Sequence, residues 1–342
     1  MSGLLVSDLH LTDNPRDEYR WDIFNQIFDV ISDYEVNQVY ILGDLTDKKD
    51  NHSAKLVSRI VENLLDMKAI KPISFIAIVK GNHDYTDKDN PFFEFLESIS
   101  GIRYTKNPEY MGEGLTLLPH TKNPIWDWQD LDRFFFEDTT EIFMHQTVKG
   151  SLASNGMEMD GIPIEFFNRF KKLTHIFSGD IHVPQNVGNV TYVGAPYHIN
   201  FGDKYDPRMI VVRSVGGGRI TWESIPTKFP RKMRIDIEHP SELLSHTFNK
   251  DMIKVVLNLK RSDLVHWNEY RQEIHNICAN KPVELCGITL QEQGSGSEQK
   301  KIQVQAIDSK RIFDQFCEKE NISGELKKYG KEQLDENKGS KL

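Results

Sequence analysis

Cysteine is scarce in this chain of 342 residues: there are three, Cys278, Cys286 and Cys317. They form no zinc-like spacing, which excludes a disulfide scaffold and a thiolate-bound structural metal and reads as reduced thiols in a cytoplasmic-type compartment. Nor does any apolar run approach the length needed to span a bilayer, so no membrane segment is expected. The first residues, Met1–Val6, run directly into a motif without a basic stretch and an apolar core, and so read as having no signal peptide. Basic residues do not dominate. Forty-two Lys and Arg against 51 Asp and Glu leave a formal charge of −9, and no basic stripe is visible. That excludes a protein that coats nucleic acid by charge alone, but not an enzyme acting on nucleic acid, because bound divalent cations would reverse the field at its site.

What is present is a set of short apolar runs that each end in the same kinds of side chain. Leu4-Leu5-Val6 ends in Ser7-Asp8-Leu9-His10, and Val39-Tyr40-Ile41-Leu42 in Gly43-Asp44-Leu45-Thr46-Asp47. Ile73–Val79 ends in Lys80-Gly81-Asn82-His83-Asp84, where Gly81 is read as permitting a tight turn. Glu141-Ile142-Phe143-Met144 ends in His145, and Thr174–Ser178 in Gly179-Asp180-Ile181-His182. In extended chain, residues two apart point to one side, so Asp8 with His10 and Asp180 with His182 can share a cation.

Between these runs the spacing predicts helices. Trp21, Phe24, Ile27, Phe28 and Ile31 give one apolar face over Tyr19–Tyr34. Leu56, Ile60, Leu64 and Leu65 are read as the inward face of a helix from Ser53, its cap, to about Met67. Strand, helix, strand, helix, strand implies parallel strands joined by crossovers, with ligands gathered beyond their carboxyl ends. Phe92, Phe93, Phe95 and Leu96 read as a short core helix, Leu115–Leu118 as a strand and Trp126–Phe136 as helical packing. Pro163 opens a helix to about Lys172. Val190–Val193 reads as a strand, and Met209–Arg213 with Arg219–Ile225 as a hairpin across Gly216-Gly217-Gly218.

Asp8, His10, Asp44, Asn82, His145, Asp180 and His182 supply oxygen and imidazole but no sulfur, a donor set for manganese, iron, zinc or magnesium. Seven ligands exceed the needs of one four-coordinate ion and suit two divalent ions sharing a carboxylate. Such a pair clamps a phosphate and activates water, and His83 is the candidate acid for the leaving alkoxide, with Asp84 orienting or charge-stabilising that imidazole. Asp47, His52, His120 and His198 are candidates for substrate contact. For His198 a turn-stabilising role stands equally open.

The order and spacing of these motifs over about residues 4–215 resemble the calcineurin-like metallophosphoesterase superfamily. The resemblance implies a four-layer α/β/β/α sandwich. It also implies that Asp44 bridges two metals, that Asp8, His10 and His182 complete one shell, and that Asn82, His145 and Asp180 complete the other. The family usually has histidine where this chain has Asp180; the extra negative charge is expected to favour a harder ion such as manganese or magnesium. Within the superfamily, Gly194-Ala195-Pro196 followed by Phe201-Gly202-Asp203 resembles the SbcD-type DNA repair exonucleases, which work with a coiled-coil ATPase of the SbcC type. This implies a DNA nuclease, in contact with DNA and such a partner and in some cases a homodimer; the alternative is a metallophosphatase or small-molecule phosphodiesterase.

The resemblance divides the chain into a metallophosphoesterase domain, 1–228, and a small α+β capping domain, 229–292. A flexible linker and helical C-terminal tail, 293–342, form a candidate partner-docking element. Within the cap, Met252–Leu259 and Val283–Leu290 read as strands flanking a helix from Asp263 to about Ala279.

Overall fold

The computed structural model describes residues 2–293 except 130 and 216–218, together with 324 and 327. The Gly216–Gly218 turn, Cys317 and almost all of the predicted linker and helical tail therefore lie outside the described residues. The chain forms two compact units, Met1–Leu257 with His266–Leu290 and Asn258–Val265 with Gln291–Leu342. Everything below concerns the first unit, save the ends of two strands and a 3-10 segment that fall in the second.

Strands β1 (Ser2–Val6), β2 (Gln38–Leu42), β3 (Phe75–Val79) and β4 (Ile102–Thr105) run parallel. A second group is β5 (Glu109–Gly112), β6 (Leu115–Leu118), β7 (Glu141–His145), β8 (His175–Gly179), β9 (Gln185–Val187) and β10 (Val190–Tyr192). The hairpin of β11 (Arg208–Val215) and β12 (Arg219–Pro226) returns to the first group. The result is two six-stranded sheets, ordered β12-β11-β1-β2-β3-β4 and β5-β6-β7-β8-β10-β9. In the second, β6, β7, β8 and β10 are parallel.

Strand alternation decides the layers, because successive side chains leave opposite faces. Leu5, Tyr40, Leu42, Ala77 and Val79 meet Leu115, Leu117, Phe143 and Phe177 in a core between the sheets, where Tyr40 stands edge-on to Phe143 at 4.9 Å. Leu4, Val6, Val39, Ile41, Ile76 and Ile78 face outward beneath helices α1 (Ile23–Asp33) and α2 (Ala54–Ala69). On the far side Ile142, Met144 and Ile176 are covered by Trp128, Phe135, Phe167 and Phe170. These come from the short helices α3 (Pro124–Asp127) and α4 (Arg133–Asp138) with their flanks and from a 3-10 segment at Ile164–Arg169. This is the α/β/β/α sandwich.

Several local expectations are corrected. The Tyr19–Tyr34 helix is a 3-10 segment, Pro15–Asp22, followed by α1, and the helices read at Phe92 and Pro163 are also 3-10. Ser53 does cap α2, accepting from the Leu56 N–H at 3.1 Å, but Leu65 is 46 % exposed while Met67 is buried. Leu65 stands about 100° round the helix from Leu64 and opposite Leu56, whereas Met67, three residues after Leu64, returns to the face over the sheet. Phe95 and Trp126, read as packed, are exposed; Phe93 and Trp128 take the core positions.

Beyond Pro226 the chain forms a three-stranded sheet from β13 (Lys232–Ile237), β14 (Asp251–Leu259) and β15 (Val283–Glu292), with β13 parallel to β14. Its helix is shorter than predicted: α5 spans Trp267–Ala279 after a 3-10 segment at Arg261–His266. Strand β13 escapes sequence reading, because its alternating Lys, Arg and Asp hide the apolar face of Met233, Ile235 and Ile237.

Candidate metal centre

The parallel strands of both sheets end at one edge, and their loops are stitched together there. Past the end of β1, Asp8 N–H donates to the Gly43 carbonyl at 3.1 Å and His10 N–H to the Asp44 carbonyl at 2.9 Å. Across the sandwich, His120 N–H donates to the Lys80 carbonyl at 2.7 Å and Asp180 N–H to Asp8 Oδ1 at 3.2 Å.

This edge brings all seven predicted ligands into one linked cluster. Ligand atoms of Asp8, His10 and His182 lie within 4.8 Å of one another, as do those of Asp8, Asp44 and His145, and of His10, Asp44 and His83. His10 Nε2 is 3.5 Å from one Asp44 oxygen and His145 Nε2 is 3.4 Å from the other. His145 Nε2 also lies 3.8 Å from Asp180 and 3.0 Å from the Asn82 amide oxygen. Asp8, His10, Asp44 and His145 are buried; Asn82, Asp180 and His182 line the partly open side.

The donor set tests well for cations. The Asn82 oxygen faces the two Asp44 oxygens at 3.0 and 3.1 Å, a repulsive arrangement unless a cation intervenes or the amide turns end for end to donate. His10 Nε2 sits 3.1 Å from His182 Nε2, and His10 Nδ1 is buried with no hydrogen-bond partner. Burial, then the neighbouring His182, holds His10 well below the usual histidine range. Burial likewise pushes the Asp44 carboxyl well up, with Asp84 and Asp8 adding to it. For His145 burial opposes protonation but Asp44, Asp8 and Asp180 outweigh it and raise the imidazole to about 9. Carboxylates and imidazoles crowded out of water in this way are relieved by divalent cations.

Four of the predicted ligands pay a conformational cost. Asp8, His10, Asp44 and Asp180 have φ of 55°, 40°, 54° and 80°, in the left-handed region that non-glycine residues rarely adopt. Each turns its side chain back over the strand ends. Gly81, by contrast, does not have positive φ. Its role is clearance, because a Cβ there would strike the Asp44 nitrogen and carboxylate, just as one on Gly43 would strike the His145 ring.

The supporting shell was only partly legible. His145 Nδ1–H donates to the Leu42 carbonyl at 2.6 Å, which leaves Nε2 for a metal. His83 Nδ1–H donates to the Asp47 carbonyl at 2.8 Å, while the His83 backbone N–H holds Asp44 Oδ1 at 2.8 Å. Asp84 is fully buried. Its carboxylate accepts from the N–H groups of Gly81, Asp44 and Leu45 at 2.7, 3.0 and 2.9 Å. It therefore braces the turn that carries Asp44, and the expectation that it orients the His83 imidazole is corrected: the Asp47 carbonyl does that. Three further residues escaped sequence reading. Thr147 donates to Asp180 Oδ2, Ser7 to Asp8 Oδ2, and buried Arg20 donates to the His10 carbonyl at 2.6 Å. An arginine three residues beyond Asp17 inside an apolar helical pattern was the available signal for the last.

Of the substrate-contact candidates, Asp47 stands 3.7 Å from His10 Nδ1. His120 lies beside His145, ring centres 6.1 Å apart, with Nδ1 3.0 Å from the Tyr85 hydroxyl. Burial, then His145, lowers it to about 4, so it is a neutral imidazole near pH 7. His52 donates to the Lys49 carbonyl at 3.2 Å and rests on Phe92 and Phe93. His198 is buried: Nε2–H donates to the Tyr205 carbonyl at 2.9 Å and Nδ1 accepts from Lys232 N–H at 3.2 Å. Of its two readings, the hydrogen bonds are those of the turn-stabilising one.

Residues 1–184 match the calcineurin-like phosphoesterase family, and the chain belongs to it. Members bind two divalent metals and hydrolyse phosphoesters with them. Among characterised relatives, exonuclease subunit 1 of Enterobacteria phage T4 is 24% identical over 180 residues, 48% of this chain and 49% of the relative. The chain thus spans about half the length of the curated relative it matches. Among solved structures, a dimetal phosphatase from Danio rerio aligns over 66% of this chain and 96% of its own, with TM-score 0.42 and 10% identity. GAP50, the anchor in the inner membrane complex of Plasmodium, aligns over 68% and 90%, with TM-score 0.37 and 11% identity.

Proposed function

We propose that this chain is a dinuclear-metal-dependent phosphodiesterase that cuts DNA, working in repair or recombination with a coiled-coil ATPase partner. The observation that carries the metal part is the meeting of seven oxygen and imidazole ligands at one edge of the two sheets, around buried Asp44. Asp44 would be shared by the two ions, with Asp8, His10 and His182 holding one and Asn82, His145 and Asp180 holding the other. When bound, the ions stabilise charge on a phosphate and make a water acidic enough to react near neutral pH. Manganese is the preferred ion, with magnesium, iron and zinc as competitors.

The chain's own residues supply the rest. His83 is half-buried at the mouth, and its Nδ1–H is committed to the Asp47 carbonyl. An imidazolium held this way can give its Nε2 proton to the leaving oxygen and become neutral, with the Nδ1 bond intact. Asp84 fixes the Asp44 turn, while Asp47 and neutral His120 stand where a substrate would enter. DNA as substrate and a partner subunit are supported by the name of the phage relative, an exonuclease subunit. The capping role of residues 229–292, tail docking through 293–342 and a homodimer belong to the same reading. So does a cytoplasmic setting, which suits the free thiols of Cys278 and Cys286; among the described residues no helix is long and apolar enough to cross a membrane.

The test is a nuclease assay on single- and double-stranded DNA with manganese, magnesium, iron or zinc. Cutting is expected with manganese, and His83→Ala should lower it by about 10²–10⁴ with metal content unchanged. Hydrolysis of a simple diester with every DNA left intact would overturn the DNA assignment in favour of a small-molecule phosphodiesterase or phosphatase. A preference for zinc would count against the expectation drawn from Asp180.

A further inference from the structure

A cleft of about 510 Å³ opens directly from the metal centre, with Asp180, Thr147, Gln146 and His120 on its floor. Its outer lip is the short helix α3, where Trp126 is 70% and Ile125 49% exposed. A single exposed apolar residue is ordinary. Here two adjacent ones border the chemical site, and the backbone that holds them is fixed. Two residues on, Trp128 is 1% exposed in the core beneath, and its N–H donates to the Pro124 carbonyl at 3.0 Å. Trp128 therefore anchors the segment while Trp126 is turned outward. Beside it, exposed Lys122 lines the same cleft. Beyond His120 and Lys122 a second groove, of about 610 Å³, continues over Lys80, Lys88 and Lys106; Asp87, Asp89 and Asp127 line it too. Of those acids, Asp87 takes the Asn90 amide and Asp89 N–H, and Asp127 takes the Thr121 hydroxyl.

We infer that Trp126, flanked by Ile125, is a stacking platform for a nucleobase of a single strand whose scissile phosphate lies at the metal centre, with Lys122 meeting a neighbouring phosphate. The inference rests on the nuclease reading above and deepens it. An indole face accepts any base, and a lysine beside it fixes the backbone, which is the pairing that sequence-independent binding of single strands requires. An unpaired base is needed, because a base inside a duplex presents only its edge. The substrate named by this geometry is thus a single-stranded segment or a frayed end.

The experiment compares cleavage of a single-stranded oligonucleotide with that of an abasic oligonucleotide of equal length, by wild type, Trp126→Ala and Trp126→Phe. Loss of one base–indole contact should raise KM for the base-bearing strand about tenfold and leave kcat nearly unchanged. Trp126→Phe should retain most of the affinity, and the abasic strand should not distinguish the three proteins. Equal effects on both strands, or none on either, would overturn the platform while leaving the nuclease reading intact. A changed oligomeric state in Trp126→Ala, without base discrimination, would make the patch a protein contact and also overturn it. If the wild type hydrolyses a simple diester but neither oligonucleotide, the nuclease reading falls and the platform with it.

Discussion

Asp84 shows how a single residue can be placed in the site and given the wrong task by its neighbours in sequence. Adjacent to His83, it reads as that imidazole's partner; folded, it gathers three backbone N–H groups and shapes the turn carrying Asp44. Asp84→Asn keeps the size but loses the negative charge and turns one of the two accepting oxygens into a donor facing backbone N–H groups. Metal affinity is expected to fall by about 10–100-fold, the usual effect of losing a group behind a ligand. Titration of metal into the apo protein checks this. An altered pH–rate profile at unchanged metal affinity would return Asp84 to the imidazole. The left-handed backbone at Asp8, His10, Asp44 and Asp180 is likewise a property no side-chain reading discloses, since aspartate and histidine are chosen for their ligand atoms and the strain follows from where those atoms must point.

At the scale of elements, the strand ends approach so closely that side-chain volume decides whether they can meet. Gly81→Ala places a methyl group against the Asp44 nitrogen and carboxylate. It is expected to cost about 1–3 kcal/mol of stability as an overpacked contact and to abolish tight metal binding, read by denaturant unfolding and metal content. In the three-stranded sheet the corresponding tie is electrostatic. Arg231 forks onto the buried Asp251 carboxylate at 3.0 and 2.8 Å. Burial pushes Asp251 up, but the Arg231 guanidinium and the N–H groups of Asn249 and Arg231 more than offset it, leaving the folded value below the ordinary one. Stability from this contact is therefore complete above the unfolded value of about 3.9 and is lost as pH falls through the folded value. Asp251→Asn should cost about 1–3 kcal/mol at pH 7 and less at pH 2. Urea unfolding at the two pH values reads the difference. An equal loss at both would mean that packing, not charge, is the cause.

For the whole molecule, the proposed ligands come from both sheets, so bound ions would cross-link the two halves of the sandwich. Metal that binds only the folded state stabilises it by about 2.7 kcal/mol at one hundred times its dissociation constant. Thermal unfolding should shift upward with manganese and return with chelator. The shift should disappear in Asp44→Asn, whose side chain faces both His10 and His145. An unchanged midpoint with saturating metal would mean that the loops bind ions without joining the sheets.

The amino-acid sequence by itself determined the strands that end in the site motifs, their parallel arrangement and the types of the predicted ligands. Each apolar run is local, and each ends in a short motif whose chemistry is written in adjacent residues. It also placed the strand ends at one edge, through the direction of the crossovers. Only the tertiary structure decided the rest. Which rings of an aromatic run turn inward, as Phe93 and Trp128 do and Phe95 and Trp126 do not, depends on the surface beneath. That Asp84 serves a turn, His198 a buried loop and Trp126 the lip of a cleft depends on contacts between segments far apart in the chain. Hydrogen bonds and steric clearance are set by where the partner lies in space, and a linear pattern carries no record of that distance.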